Sequence, residues 1–465
     1  RKECEDADFT GIQEAINNES VVDGDVILVY PGRYGGVVVN KSIILEAESR
    51  YSAVIDGGED AGIYISADNV EIYNFTIHGN PCVYLNSSNN VIAHNNISSQ
   101  ILIFNDTFPS KTINTSNWVS TSGAPWINEY GANEPSPPYS LELDGSGDSV
   151  KTRVINLTNF GGGLLSFYYE LGGYGEPPDS DDWLNVWKCS SYGTYIIWSQ
   201  NGDGTNHYTY NFTRVPLSSG EFQIKFESEG SGAGYDDFFI DDVKIYGIGN
   251  GIYLHNADNN VIRDNYICNC WDGIHLWYSS NNIIRDNYIC DNWGNGIRFW
   301  YSSNNIIFES DVLNNSDDGI YIYSSTDNNI SANKVSNNLH GIFSSNSSNN
   351  SIVGNIISEN RYDGIHLYMS SDNNISTNKV SNNSYGISSY YSPNNSIVGN
   401  IISENSDGIY LDESSNNTLR YNEISNNSDD GIQLYGSSHN IITSNTVNFN
   451  GDDGVSLQPV WIPIP

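Results

Sequence analysis

The sequence predicts an all-β protein: a parallel β-helix with coils of about 22 residues, interrupted by an inserted antiparallel β-sandwich (jelly roll) and covered at its start by a short helix. Three observations carry this. Glycines recur as Gly251, Gly273, Gly296, Gly319, Gly341, Gly364, Gly386, Gly408, Gly431 and Gly454, every interval being 22 or 23 residues. Fourteen residues after eight of the first nine glycines stands an Asn, at 265, 287, 333, 355, 378, 400, 422 and 445, with Ser310 as the exception. Between about 100 and 247 the period vanishes, and longer aromatic alternations replace it.

Most of the repeat glycines open an apolar-x-apolar triplet, such as Gly-Ile-Tyr-Leu at 251–254. Alternation over so short a run is strand periodicity, with two side chains in and one out. Three such strands and three turns fill one coil, and successive coils stack as parallel strands about 4.8 Å apart. An Asn at one fixed place per coil then hydrogen-bonds to those above and below. The Asn-Asn pairs at 259–260, 281–282, 304–305, 328–329, 349–350, 373–374, 394–395 and 416–417 mark a second turn. The Gly-to-Asn distance is constant, so the slack lies between the ladder Asn and the next Gly.

Taken in order, residues 8–18 read as an amphipathic helix that caps the solenoid, with Phe9, Ile12, Ala15 and Ile16 on one face and Thr10 and Gln13 at capping-box spacing. The cap and first coils occupy 1–100, and Cys82-Val-Tyr-Leu stands where Gly-Ile-Tyr-Leu stands later, with Asn95 as its ladder Asn. The insert occupies 101–246. Its strands at Leu164–Leu171, Trp183–Trp187, Tyr195–Trp198, Phe222–Phe226 and Phe238–Tyr246 are separated by Gly/Pro/Asp clusters, as a β-sandwich requires. The coils resume over 247–457. The tail 458–465 is apolar and proline-rich, which blocks strand pairing; it reads as a plug over the open end or as a segment docking on a neighbouring subunit.

The repeats, together with the passage from Phe9-Thr-Gly-Ile-Gln-Glu-Ala-Ile through Asp25-Val-Ile-Leu-Val-Tyr-Pro-Gly-Arg-Tyr, resemble the parallel β-helix proteins of archaeal and bacterial surfaces. That superfamily is shared with pectate lyases and NosD-like periplasmic copper-associated proteins. The resemblance covers roughly 1–100 and 247–457 and implies a right-handed coil, in keeping with parallel crossovers generally. It says little about activity, because the fold hosts both enzymes and inert scaffolds. The insert resembles MAM-like jelly-roll modules through Ser140-Leu-Glu-Leu, Leu164-Leu-Ser-Phe-Tyr-Tyr, Asp182-Trp-Leu-Asn-Val and Asp236-Asp-Phe-Phe-Ile-Asp-Asp-Val-Lys-Ile-Tyr. Such modules bind glycans or partner proteins, and some hold a structural Ca²⁺. By that analogy Asp241 and Asp242 are ligand candidates; the alternative makes them edge-strand turn residues.

The formal charge is −37 over 465 residues. Acidity of this size argues against nucleic acid and anionic membrane surfaces as partners. No segment is long and apolar enough to span a membrane. The first residue is Arg1, which reads as a mature secreted chain after signal removal. In that setting the Asn-x-Ser/Thr sites are acceptors for N-linked glycans: Asn18, Asn40, Asn74, Asn86, Asn96, Asn105, Asn114, Asn156, Asn211, Asn314, Asn329, Asn346, Asn349, Asn374, Asn382, Asn394, Asn416 and Asn426. An Asn- and Ser-rich repeat also makes such triplets by chance. Cys268 and Cys290 occupy the same repeat position, so stacking predicts a disulfide between them. Cys4, Cys82, Cys189 and Cys270 are numerous enough for two more.

Asp stands immediately before the repeat Gly at 272, 318, 363, 407, 430 and 453. Stacked carboxylates repel unless a cation or proton intervenes. Asp407, Asp430 and Asp453, in consecutive coils, are therefore the candidate Ca²⁺ site, against the plainer reading of an Asp-Gly turn with side chains in water. Asp-Asp-Gly recurs without the Gly-His-Gly and Arg-x-Lys companions of polygalacturonase-like enzymes. Repetition also argues against catalysis, since an active site breaks a repeat at one place. No catalytic residue is assigned. Trp277, Trp300, Tyr323, Tyr368, Tyr390 and Tyr435, with Tyr253, Tyr321 and Tyr410, fall on outward positions and predict an aromatic stripe. It serves as a contact with another subunit or a sugar, or as stacking within the wall. His255, His275, His340, His366 and His439 show no compact ligand pair in the sequence, so a copper role gains no support there. The reading is a secreted, glycosylated, non-enzymatic surface protein, a self-assembling subunit of an extracellular layer, sheath or filament joined through its aromatic surface and insert. Carbohydrate binding or polysaccharide cleavage is the runner-up.

Overall fold

The computed structural model describes residues 8–123, 125–230 and 237–458. They form two units: residues 1–99 with 249–465, and residues 100–248.

The first unit is a right-handed parallel β-helix with three sheets of 13 strands each. Val26–Val29 begins the first sheet, Gly32–Gly35 the second and Val37–Val39 the third. Ile441–Thr443, Thr446–Asn448 and Val455–Gln458 end them. Register is kept coil by coil: Ile262 pairs with Ile284, Ile267 with Ile289 and Ile274 with Ile297. The inward residues therefore stack into columns of Ile, Val and Leu that are fully buried. Each such side chain contributes about 1.5–3 kcal/mol relative to exposure.

The repeat glycine is enforced by close approach. A Cβ at Gly341 would lie 2.5 Å from the Gly364 carbonyl oxygen and 2.5 Å from Ile357 Cγ2. No larger residue fits without moving the backbone of the next coil. The Asn-Asn turn divides its labour. The first Asn takes the left-handed conformation, as Asn281 (φ 59°) and Asn304 (φ 58°) do, which Asn tolerates better than most residues. The second turns inward and joins a ladder: Asn260 Nδ2 donates to Asn282 Oδ1 at 3.1 Å, and Asn282 Nδ2 to Asn305 Oδ1 at 3.1 Å.

The ladder of Asn265, Asn287 and their successors also forms, and Ser310 sustains it by accepting from Asn287 N and donating its own N–H to Asn333. A third ladder runs from Asn292 through Asn315, Asn338, Asn360, Asn383, Asn405 and Asn427 to Asn450. Its members stand a constant 19 residues after the repeat glycine, so the slack of the coil lies between them and the next glycine. A serine ladder passes through Ser302, Ser325, Ser347 and Ser370.

The helix is Ile12–Asn17, shorter than expected, with Ile12, Ala15 and Ile16 buried. Thr10 and Gln13 do not form a capping box. Glu14 reaches back instead, accepting from Thr10 N and Oγ1. Gln13 is drawn away because its amide mimics a strand, donating to Val38 O at 3.2 Å and accepting from Val38 N at 2.7 Å. It thus satisfies the edge of the third sheet.

The second unit has two antiparallel sheets of six strands each, enclosing one core that includes Leu143, Phe167, Val186 and Phe226. It enters after Asn96–Ile97 and leaves before Ile252–His255. The coils on either side pair directly across it, Ile97 with Ile267 and Leu85 with Leu254. After Gln458 the expected plug lies outside the described residues.

Candidate functional site on the third sheet

The third sheet carries the chemistry of the β-helix because its outward positions repeat in three rows. One row precedes the glycine: Asp272, Asn295, Asp318, His340, Asp363, Tyr385, Asp407, Asp430 and Asp453. The second runs through Tyr253, His275, Arg298, Tyr321, Phe343, His366, Ser388 and Tyr410. The third runs through His255, Trp277, Trp300, Tyr323, Ser345, Tyr368, Tyr390, Asp412 and Tyr435.

The acidic row does not splay into water. Asp272, Asp318, Asp363, Asp407 and Asp430 are buried, and Asp453 is exposed. The cause is a backbone ladder: Asp407 Oδ1 accepts Asp430 N at 3.0 Å, and Asp430 Oδ1 accepts Asp453 N at 3.0 Å. These carboxylates line up along the axis and do not converge as a triplet. The carboxylates that approach within 4.8 Å of one another there belong to Asp429, Asp430 and Asp452.

Two clusters stand out along the face. In the first, Asp272 lies 3.3 Å from His275 Nδ1 and 3.5 Å from Arg298 Nη1. Burial works to raise the Asp272 pKa, but His275, Arg298 and the Asn295 N–H together hold it at about 2. Neither ring nitrogen of buried His275 completes a hydrogen bond, nor does Arg298 Nε. The guanidinium sits 4.4 Å above the Trp300 ring. His275 Nδ1 thus faces Asp272 as an ion-pair partner only, while His275 Nε2 and Arg298 Nε stay without a hydrogen-bond partner beside Tyr253 and Tyr321.

In the second cluster His340 Nδ1 meets Asp318 Oδ1 at 2.7 Å and His366 Nδ1 meets Asp363 Oδ2 at 2.5 Å. Burial works against protonation of His340, yet Asp318 raises its pKa above the ordinary value. The rings of His340 and His366 lie 5.3 Å apart. The sequence shows no such pair because the two sit at different repeat positions; aligning the coils in columns brings them side by side.

All six aromatics expected on the stripe, Trp277, Trp300, Tyr323, Tyr368, Tyr390 and Tyr435, are half-buried. Trp277 stacks on Trp300 at 5.7 Å and Trp300 on Tyr323 at 4.7 Å, so part of the stripe is intrachain packing. More exposed rings were missed in the adjoining turn: Tyr278 and Tyr301 stack at 5.1 Å and are 51% and 41% exposed. Both have positive φ, 49° and 53°, a costly conformation for an aromatic residue.

Cys268 and Cys290 are bridged, with Cα atoms 4.7 Å apart. The further disulfides do not form among the described residues: Cys82, Cys189 and Cys270 are free thiols, Cys82 and Cys270 being buried, while Cys4 lies outside those residues. Of the candidate glycan acceptors, 16 are exposed and two, Asn74 and Asn96, are half-buried.

In the second unit Asp241 and Asp242 do not share a site, and neither is on an edge strand. Their strand, Asp237–Ile248, is central in its sheet, and they occupy a bulge where Asp242 has φ 48°. Asp241 is fully buried and accepts from Ser136 N and Asp242 N. Burial pushes it up to about 7. Asp242 pairs with Lys244 at 2.7 Å. Glu170, also fully buried, accepts from Ala132 N through Oε2 and leaves Oε1 without a partner. Burial raises it to about 7.

Ladders, register and glycine contacts define a parallel β-helix repeat protein. Residues 226–380 match the family model described as right handed beta helix region, and residues 357–459 match that described as periplasmic copper-binding protein (NosD). A cell surface glycoprotein of Methanothermus fervidus is 45% identical over 74 residues, which are 15% of this chain and 12% of that protein. Among solved structures, the A-module of the Azotobacter vinelandii mannuronan C-5 epimerase AlgE4 aligns over 97% of this chain and 92% of its own, with a TM-score of 0.50 and 13% identity. The Dettilon tailspike protein aligns over 92% and 61%, with a TM-score of 0.45 and 12% identity. The likeness to the AlgE4 A-module concerns fold alone.

Proposed function

We propose that the chain is an N-glycosylated structural protein of the cell surface that self-assembles into a layer, sheath or filament. The observation that carries this reading is the set of buried Asn and Ser ladders extending coil after coil. Such ladders make a stiff rod and place side chains at regular steps on its outside. The similarity to a cell surface glycoprotein and the 16 exposed acceptors support the location and the glycans. Trp277, Tyr278, Trp300 and Tyr301 supply an aromatic patch suited to a second subunit. Negative-stain electron microscopy tests the proposal: ordered sheets, tubes or fibres are expected from purified protein. Their loss on chelation supports Ca²⁺ in the acidic turns, and dispersed monomers under all conditions refute self-assembly.

A second reading rests on Asp272, His275 and Arg298. A buried acid, a histidine with unsatisfied nitrogens and an arginine beside aromatic rings suit a polysaccharide, bound or cleaved. Some solved β-helices of similar fold act on such polymers. Incubation with a panel of acidic and neutral polysaccharides checks it. Binding or depolymerisation that disappears in His275→Asn supports the reading, and inertness across the panel removes it.

A further inference from the structure

We propose that His340, His366 and Asp363 form a binding site for one divalent transition-metal ion of the class that favours imidazole, such as Zn²⁺ or Cu²⁺. One ligand atom from each of the three lies within 4.8 Å of the other two. A tetrahedral ion with bonds of about 2.0–2.1 Å needs donors about 3.3 Å apart, so small side-chain adjustments, opening the His366–Asp363 pair and drawing His340 in, complete the contact. They come from adjacent coils of one rigid sheet, where His366 pairs in register with Phe343 of the His340 coil.

The surroundings are arranged as such a site requires. Each imidazole already has Nδ1 on a carboxylate, His340 on Asp318 at 2.7 Å and His366 on Asp363 at 2.5 Å. For His340 that carboxylate lies outside the proposed ligand set: a neutral ring donating from Nδ1 to Asp318 keeps its lone pair on Nε2, and a carboxylate behind a histidine is the usual support for a metal-bound ring. His366 Nδ1 and Asp363 Oδ2 face each other directly, so an ion held by both takes the place of the proton between them. Ser388 Oγ donates to the same Oδ2 of Asp363 at 2.7 Å, which holds that carboxylate facing His366. Phe343 packs edge-on against His366 at 4.6 Å, and Tyr362 lies 5.5 Å from His340. These rings restrict the imidazoles and limit water.

The repeat breaks at this place. The row before the glycine is otherwise mostly Asp, and His340 interrupts it one coil before His366 appears in the second row. A ladder needs only an acceptor there, which Asn295 provides two coils earlier in the same row. The histidine is not required for the backbone. Two imidazoles and a carboxylate favour borderline ions over Ca²⁺ or Mg²⁺, which take oxygen.

The test is isothermal titration of the full, untagged chain with Zn²⁺ and with Cu²⁺, together with electron paramagnetic resonance of the Cu²⁺ form. One ion per chain is expected, with hyperfine coupling to two nitrogens. His340→Asn and His366→Ser copy residues found at the same positions in other coils, Asn295 and Ser388, so the ladder survives. Each is expected to weaken binding at least 100-fold, while His439→Asn leaves it unchanged. Circular dichroism confirms that the variants fold. Absence of stoichiometric binding, retention of affinity in the double variant, or a copper signal without nitrogen coupling would overturn the proposal.

Discussion

Asn355→Ala removes a buried amide that serves both neighbouring coils. Asn355 Oδ1 accepts Asn333 N at 2.9 Å and Asn333 Nδ2 at 3.1 Å. Its Nδ2 donates to Ile330 O at 2.9 Å and to Asn378 Oδ1 at 3.0 Å. After truncation Asn333 Nδ2 keeps Ile307 O, and Asn378 Oδ1 keeps the Asn355 N–H. Asn333 N and Ile330 O lose these partners. One buried N–H left unsatisfied, at about 1–3 kcal/mol, and the loss of two further buried hydrogen bonds at about 1 kcal/mol each give a loss of about 4 kcal/mol. Asn355→Ser should cost about half as much, because Ser310 shows that a hydroxyl can accept the backbone N–H. The control is Asn349→Ala, at an exposed turn position with φ 59°, expected to cost about 1 kcal/mol or less. Urea unfolding followed by circular dichroism gives the global value. Amide exchange across 327–345 reads the local opening that a nearest-neighbour solenoid predicts. If Asn355→Ala costs no more than Asn349→Ala, the amide ladder does not hold the coils together.

Gly341→Ala meets two atoms at 2.5 Å and should prevent soluble expression or lower the melting temperature by 10 °C or more, on the order of several kcal/mol. Gly354→Ala, with φ 68° and no neighbour nearer than 3.9 Å, should cost only about 1 kcal/mol; equal effects would refute the close-approach argument. Cys290→Ser opens a bridge spanning 22 residues, worth about 3 kcal/mol from chain entropy, and is read by urea unfolding with and without reductant. In the insert, Glu170 has its pKa raised to about 7 by burial. The folded state therefore holds its proton more tightly than the unfolded chain, so stability is greatest at low pH and falls as pH rises from about 4.5 through about 7. Glu170→Gln should flatten that slope in melting curves between pH 5 and 8; an unchanged slope would place its origin elsewhere.

The columns of the solenoid were legible because they rest on contacts that admit few residue types. Gly341 and its equivalents abut backbone, and Ile262 and its equivalents fill a fixed volume, so each recurs in sequence. The ladder beginning at Asn292 was equally legible, since each member stands 19 residues after its repeat glycine, as Asn292 does after Gly273 and Asn450 after Gly431, and it was overlooked. The acidic row was visible, but its burial was not: sequence shows Asp before Gly, whereas the acceptor role of Asp407 toward Asp430 N depends on the stacking of coils. His340 and His366 escaped notice for the same reason. They are 26 positions apart in the chain, more than one period, and only the lateral reach across two rows brings them together. Neither alternative for Asp241, Ca²⁺ ligand with Asp242 or edge-strand turn residue, allowed for a bulge in a central strand, because strand order within a sandwich is not a local property.

The pairing of coils across the insert has a consequence for the order in which the chain folds. After the insert each strand finds its neighbour after 22 or 23 residues, and in the first coils after 18 to 27, but Leu85 must meet Leu254 and Ile97 must meet Ile267. Searching across about 170 residues of open chain rather than 22 costs roughly 1.8 kcal/mol more in closure entropy. The insert can supply that closure itself, since Ile101 pairs with Gly247 within its own sheet. Once that pair forms, Ser99 and Gly249 are delivered to each other, and the Gly249 N–H can close on Ser99 Oγ at 2.9 Å. The insert thereby acts on the rod as a splint set before the break is joined, and the two stretches of coil can propagate as one.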